Sequence, residues 1–549
     1  MPLTKLFRSA AIAASFAVLV PAISLKQAVA QKPVATVSIA PLDRLTTDIN
    51  ELLTAVSASS VQPMISFFAD HYTQGMDRTR PAGVLVTLNN QAPSALIFLP
   101  IKDEAALFTA LEGIGVQADE LESNLWELIT PGQAMFVKKS DGWLFVAQTE
   151  DELSALPADP AAALGGLYKT YDLAVRMNVQ ALPAEMKNMV MENMRMGFEN
   201  GLQANPNQTE DEREAARQAG EAQIEQINRM MEETEQAFVG WSFDSANQRM
   251  YVDVGSLAVP GTSMAKSAEL ALEAESDYSA FILPNAVMKF RQTALIAEGD
   301  REASVTSVNG SLKQVESMID KDDKLDAGLK DLLKGVVGSL GALVKDTINE
   351  GKLDGVGSAS LADGRLQLLI GGRIADGNAL AAKVQEAAAE LEGKSGAPEF
   401  EFGYETYKGV TLHRATVALP PQAQQIIGDQ ALLTVGTADK GFIIGLDAAG
   451  DALVKGAIDA MQSSGPQKVS PFEADIQVGA ILEFVKTIVP NPMVEKAAET
   501  IQSYAESDMV RITSRAIPRG ATIRLSIDEG ILQAIGGAVQ GGGGGAGGF

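Results

Sequence analysis

Two stretches decide the reading of this chain: ALIFLPI (Ala95–Ile101), Asp103, AALFTALEGI (Ala105–Ile114), and LQLLIGGRI (Leu366–Ile374), Asp376, ALAAKVQEAAAEL (Ala379–Leu391). In each, the alternation of a strand gives way to helical spacing, and an Asp stands at the change, placed to cap the first free amides of a helix. The likeness continues downstream. Gln133-Ala134-Met135-Phe136 matches Gln430-Ala431-Leu432-Leu433, and the hairpin DGWLFVA (Asp141–Ala147) matches KGFIIGL (Lys440–Leu446). A short helix then leads to YDLAVRMNV (Tyr171–Val179) in one and FEADIQVGA (Phe472–Ala480) in the other. Gly142 and Gly441 fall where a turn accepts positive φ. The pattern predicts an α+β fold of two pseudo-repeated antiparallel-sheet modules, at about 81–182 and 364–485, with covering helices on one face.

Between the copies an inserted αα-hairpin is expected. Its helices cover 183–203 and 209–237, join at Asn205-Pro206-Asn207, and the second opens with a capping box of Thr209 and Glu212. Strands AFVGWSF (Ala237–Phe243) and RMYVDVGSLAV (Arg249–Val259) form a hairpin, and one long helix is expected near 310–350. VRITSR (Val510–Arg515) should pair with ATIRLSID (Ala521–Asp528). The resulting partition is 1–30 export signal, 31–182 first module, 183–237 hairpin insertion and 238–363 connecting strands and helix. It continues with 364–485 second module, 486–540 C-terminal helix and strands, and a glycine-rich tail 541–549 too poor in apolar surface to order itself.

YKGVTLHRA (Tyr407–Ala415), GFIIGLDAAGDALVKGAIDA (Gly441–Ala460) and GWLFVAQTEDELSAL (Gly142–Leu156) resemble repeated modules of large secreted bacterial proteins of unknown function, in which a Y-x-G-V hairpin precedes a strand-and-helix unit. The first copy departs from this pattern, with NLWELIT (Asn124–Thr130) in place of the hairpin. The resemblance implies an architecture and carries no activity, cofactor or ligand.

Lys5 and Arg8 precede an apolar run, Ala10–Ile23, that ends at Ala28-Val29-Ala30. This is the pattern of a secretory signal cleaved after Ala30, placing the mature chain in the periplasm or outside the cell. The run is short for a membrane span and holds Pro21, and no later stretch is long and apolar enough to be one. A net charge of −26, three units more negative once Lys5, Arg8 and Lys26 are removed, excludes a nucleic-acid role. With no Cys, disulfides, thiolate metal sites and cysteine nucleophiles are excluded as well.

Candidate chemistry is sparse. Of the two histidines, His413 is expected on an edge strand and His71 in a solvated loop. Ser263-Met264-Ala265-Lys266 fits S-x-x-K without its companion motifs. Gly338-Ser339-Leu340-Gly341 lacks a nucleophile-elbow spacing, and Gly355-Val356-Gly357 leads into a strand rather than a phosphate-binding helix. The acidic run Asp320–Asp326 has Leu325 and Asp331 where a calcium loop needs Gly and Glu. Met186, Met189, Met191, Met194 and Met196, with Val190 and Phe198, spread round a helix too widely to converge on copper; they read as core or binding surface packed on Ile224, Ile227, Met230 and Met231. The apolar surface expected there is Met186, Met189, Val190, Met194 and Phe198. GLKDLLKGVVGSLGALVKDTI (Gly328–Ile348) reads as a helix covering a sheet.

No catalytic, cofactor-binding or metal-binding residue is assigned. The expectation is a non-enzymatic extracytoplasmic binding or structural envelope component, whose partner is an unknown protein or apolar ligand. The alternatives are a periplasmic carrier of lipid-like ligands, which needs an apolar cavity, and a hydrolase working through carboxylates alone.

Overall fold

The alternation and turn chemistry of the chain resolve, in a computed structural model, into twenty-two strands and fourteen helices among the described residues. These are 32–542 apart from 90–91, 114, 131–133, 204–209, 323–326, 363, 392–397, 420–423, 425, 429, 448–450, 490 and 505–506. The N-terminal segment expected to be an export signal, the Asn205–Thr209 joint and most of the glycine tail therefore lie outside the described residues.

The first half runs β1 (Ala35–Ile39), α1 (Leu42–Ala55), α2 (Gln62–Tyr72), β2 (Ala82–Asn89), β3 (Ala92–Pro100), α3 (Glu104–Glu112), β4 (Gln117–Glu122), β5 (Leu125–Ile129), β6 (Ala134–Ser140), β7 (Trp143–Ala147), α4 (Pro160–Ala163) and β8 (Leu173–Asn178). There follow α5 (Ala184–Gln203), α6 (Glu210–Glu233), β9 (Thr234–Asp244), β10 (Arg249–Ala258), α7 (Ser263–Leu272) and β11 (Glu275–Ser276). The second half runs β12 (Ala286–Leu295), α8 (Arg301–Lys321), α9 (Ala327–Glu350), β13 (Lys352–Ala362), β14 (Arg365–Arg373), α10 (Gly377–Leu391), β15 (Glu399–Tyr407), β16 (Val410–Ala418), β17 (Gln430–Ala438) and β18 (Gly441–Asp447). It closes with α11 (Ala452–Ser464), β19 (Gln467–Lys468), β20 (Phe472–Gln477), α12 (Val478–Ile488), α13 (Pro492–Gln502), β21 (Met509–Ile517), β22 (Gly520–Asp528) and α14 (Glu529–Gly542).

The chain divides into two compact units, residues 1–47 with 63–189, and 48–62 with 190–549. In the first, antiparallel pairing orders the strands β8-β1-β2-β3-β7-β6-β5-β4. In the second the order is β9-β10-β22-β21-β20-β12-β13-β14-β18-β17-β16-β15.

The Asp caps are where the sequence puts them: Ala106 N–H donates to Asp103 at 3.1 Å and Ala379 N–H to Asp376 at 2.9 Å. Gly142 takes φ +75° in its turn. Gly441 does not have positive φ; a Cβ there would stand 2.5 Å from the Tyr278 hydroxyl, so close approach is what requires glycine.

Helices cover both faces of each module, not one. Within the second unit, adjacent residues of β18 point opposite ways. Ile443 enters a core with Val356, Leu369, Leu412 and the α11 residues Val454 and Ile458, whereas Phe442 packs with Leu343, Ile374 and the α10 residue Leu380. In the first unit Phe145 joins Phe98, Leu153 and Leu164, while Leu144 joins Leu107 of α3 and Val137. The single helix expected near 310–350 is two, α8 and α9, with Leu312 of one against Gly341 of the other. The second hairpin helix stops at Glu233, and Thr234 already belongs to β9.

Candidate functional site

Strict alternation along the strands of the second unit sorts side chains by chemistry. One row across eight strands reads Trp241, Val252, Leu525, Ile512, Ala474, Phe290, Gly357 and Ile370, each opposite the next. The row on one side of it reads Phe243, Met250, Ile527, Val510, Ile476, Met288, Ala359 and Leu368; that on the other, Val239, Val254, Ile523, Ser514, Phe472, Gln292, Gly355 and Gly372. No charged residue occupies any of these positions.

The reverse face carries the charges. Arg524 grips Asp253 through Nε and Nη2, both at 2.8 Å, with its guanidinium 4.0 Å over the ring of Tyr251. Arg511 bonds Asp528 at 2.9 Å, Lys289 bonds Asp475 at 2.8 Å, and Arg291 bonds Glu473. Opposite charges thus face one another across neighbouring strands. Burial alone would lower the Lys289 ammonium, but its bonds to Asp475 and Glu473 hold it above its ordinary value.

The apolar face is only partly roofed. At one end Leu532 of α14, with Leu52 and Ala55 of α1, packs on Phe243, Met250 and Ile527. Beyond this cover Val254 is 52% exposed, Ile523 50%, Val239 48%, Met288 and Ile370 44%, Phe290 41% and Leu525 37%. A run of half-exposed aliphatic and aromatic side chains on regular sheet exceeds what scattered surface residues explain.

The methionine-rich helix is α5, but its side chains do not share one environment. Met189, Val190 and Met196 are exposed, Met186, Met194 and Phe198 are half-buried, and Met191 is buried. Phe198 lies over Gly220 of α6, where a Cβ would stand 2.0 Å from its ring, so this residue is packing rather than open surface.

His71 is not in a loop; it lies in the last turn of α2, stacked on Phe67 with ring centroids 5.5 Å apart. His413 is not on an edge strand: β16 pairs with β15 on one side and β17 on the other. Its Nδ1 accepts from Gly403 N–H at 3.2 Å, and burial lowers its pKa. Ser263 Oγ donates to Glu233 at 2.9 Å, Gly338–Gly341 lies within α9, and Gly355–Gly357 lies within β13. Asp320 ends its helix beside Lys334 at 2.9 Å, while 323–326 lie outside the described residues. Among the described residues no three His, Asp or Glu converge on a metal position.

The buried carboxylate of Asp354 accepts from Ser276 Oγ and Asp277 N–H, both at 2.7 Å, and from Thr293 at 3.1 Å. Burial pushes its pKa up despite these bonds, and burial with the nearby Asp354 charge pushes Tyr278 up to about 12. Together they tie β11, β12 and β13 into one piece. The half-exposed face is not legible in the sequence because alternation in RMYVDVGSLAV and ATIRLSID tells which residues share a face, not what covers it. No protein family, characterised protein or solved structure matches the chain.

Proposed function

We propose that this chain is an exported, non-enzymatic binding protein of the cell envelope, built by internal duplication, whose open apolar sheet face is its working surface. The observation that carries the reading is that face: three cross-strand rows without a charge, with seven of their side chains 37–52% exposed. Exposed apolar area of this extent on regular strands has free energy to release on meeting an apolar partner. The N-terminal segment ending at Ala30 supports export.

Duplication is supported by connectivity. The order β8-β1-β2-β3-β7-β6-β5-β4 has the same chain path as β20-β12-β13-β14-β18-β17-β16-β15. Two helices follow the first strand of each set, and two helices, a strand hairpin and a helix follow the last. The modules seen as similar in sequence are on this reading the centres of two longer repeats.

The test is titration of the purified mature protein with Nile red, an uncharged polarity-sensitive dye. Saturable binding is expected, and Val254→Asp with Ile523→Asp should abolish it while circular dichroism stays native. Absence of saturable binding to the parent protein would refute the reading.

A further inference from the structure

The apolar face has a shape and an electrical setting that narrow its occupant. From Val252 on β10 to Ile370 on β14 the central row crosses seven adjacent strands, about 29 Å at ~4.8 Å per strand. Lipid tails of one leaflet reach about 15 Å, half of a ~30 Å hydrocarbon core. The stripe is thus long enough for an acyl chain to lie flat across the strands. Gly357, placed between Phe290 and Ile370 in the row, is covered by the Phe290 ring, which a Cβ there would meet at 2.9 Å, so the floor is continuous across this strand.

Charge selects the other end of the molecule. The chain carries −26, and the stripe itself has no cation to meet an anion. An anionic headgroup is repelled by this net charge over the Debye length, about 10 Å at 0.1 M salt, whereas a choline-type headgroup, whose ammonium balances its phosphate, is not.

We infer that the stripe binds a long-chain amphiphile whose headgroup bears no net negative charge, the chain lying across strands β10 to β14. This rests on the reading of the apolar face as a binding surface. Trp241 stands in the same row as Val252 and Leu525, and the other two tryptophans, Trp126 and Trp143, belong to the first unit.

The experiment titrates the mature protein, below micelle-forming concentrations, with a brominated-chain lysophosphatidylcholine and with the matching lysophosphatidylglycerol, reading tryptophan quenching. Saturable quenching by the choline lipid is expected, lost in Trp241→Phe and weakened at least tenfold in Leu525→Asp. The glycerol lipid should bind at least tenfold more weakly at low salt, with the gap narrowing as salt rises. Equal affinity for both headgroups, or no quenching while Nile red still binds, would overturn this inference and leave the binding-surface reading standing. If Nile red also fails to bind, the earlier reading falls with it. A stable dimer in sedimentation that protects Ile523 and Leu525 would overturn the lipid assignment in favour of a second copy of the chain.

Discussion

The same substitution on the two faces of one sheet should have very different costs. Ile523 on β22 is 50% exposed on the apolar face, and Ile443 on β18 is 2% exposed in the core under α11. Changing Ile to Thr keeps the β-branch, removes about two carbons' worth of apolar surface and adds a hydroxyl. At ~0.8 kcal/mol per buried methylene, Ile443→Thr loses about 1.6 kcal/mol of transfer energy. A hydroxyl without a hydrogen-bond partner in that core adds roughly 1–3 kcal/mol, for about 3–5 kcal/mol in all. Ile523→Thr forfeits half the transfer energy, about 0.8 kcal/mol, and its hydroxyl reaches water. Urea denaturation followed by circular dichroism measures both, at equal slope, as shifts in midpoint. If Ile523→Thr costs as much as Ile443→Thr, the face is covered in solution and the argument for a binding surface fails.

Lys289→Met should destabilise the protein by about 3 kcal/mol, because it strips the bond from the nearly buried Asp475; adding Asp475→Leu should recover part of that loss in the same urea assay. Burial holds His413 below its ordinary pKa of 6.5, so the unfolded chain binds more protons between the two values and stability falls as pH drops through that window. His413→Gln should remove this part of the pH dependence of the unfolding midpoint, and an unchanged slope would contradict it. A Cβ at Gly377 would stand 1.8 Å from the backbone oxygen of Ala438, so Gly377→Ala should cost at least about 1–3 kcal/mol in thermal or urea unfolding.

Local chemistry was legible in the residues. Asp103 and Asp376 read as caps because a short acceptor before a helical run has one place to go, and the hairpins 237–259 and 510–528 read as pairs because each joins across a short turn. What stayed hidden is non-local. Nothing near Asp253 announces Arg524, 271 residues away, yet the two meet where β10 pairs with β22, the ladder that joins the β9–β10 hairpin to the other ten strands. EFEFGYETY (Glu399–Tyr407) forms the outer strand β15, which makes the strand of His413 an inner one. The spread of the methionines round their helix leaves core and binding surface both open, because burial of Met191 and packing of Phe198 depend on which neighbour each meets.

The ladder between β10 and β22 also has a consequence in time. With ribosomes adding 5–20 residues per second, the hairpin of β9 and β10 emerges about 15–50 s before the strand that will lie beside it. For that interval its rim of amides and carbonyls is a template for any passing chain. Asp253, midway along the waiting strand, then acts as a sentry: a carboxylate that no hydrophobic intruder can neutralise, and that Arg524 arrives to answer.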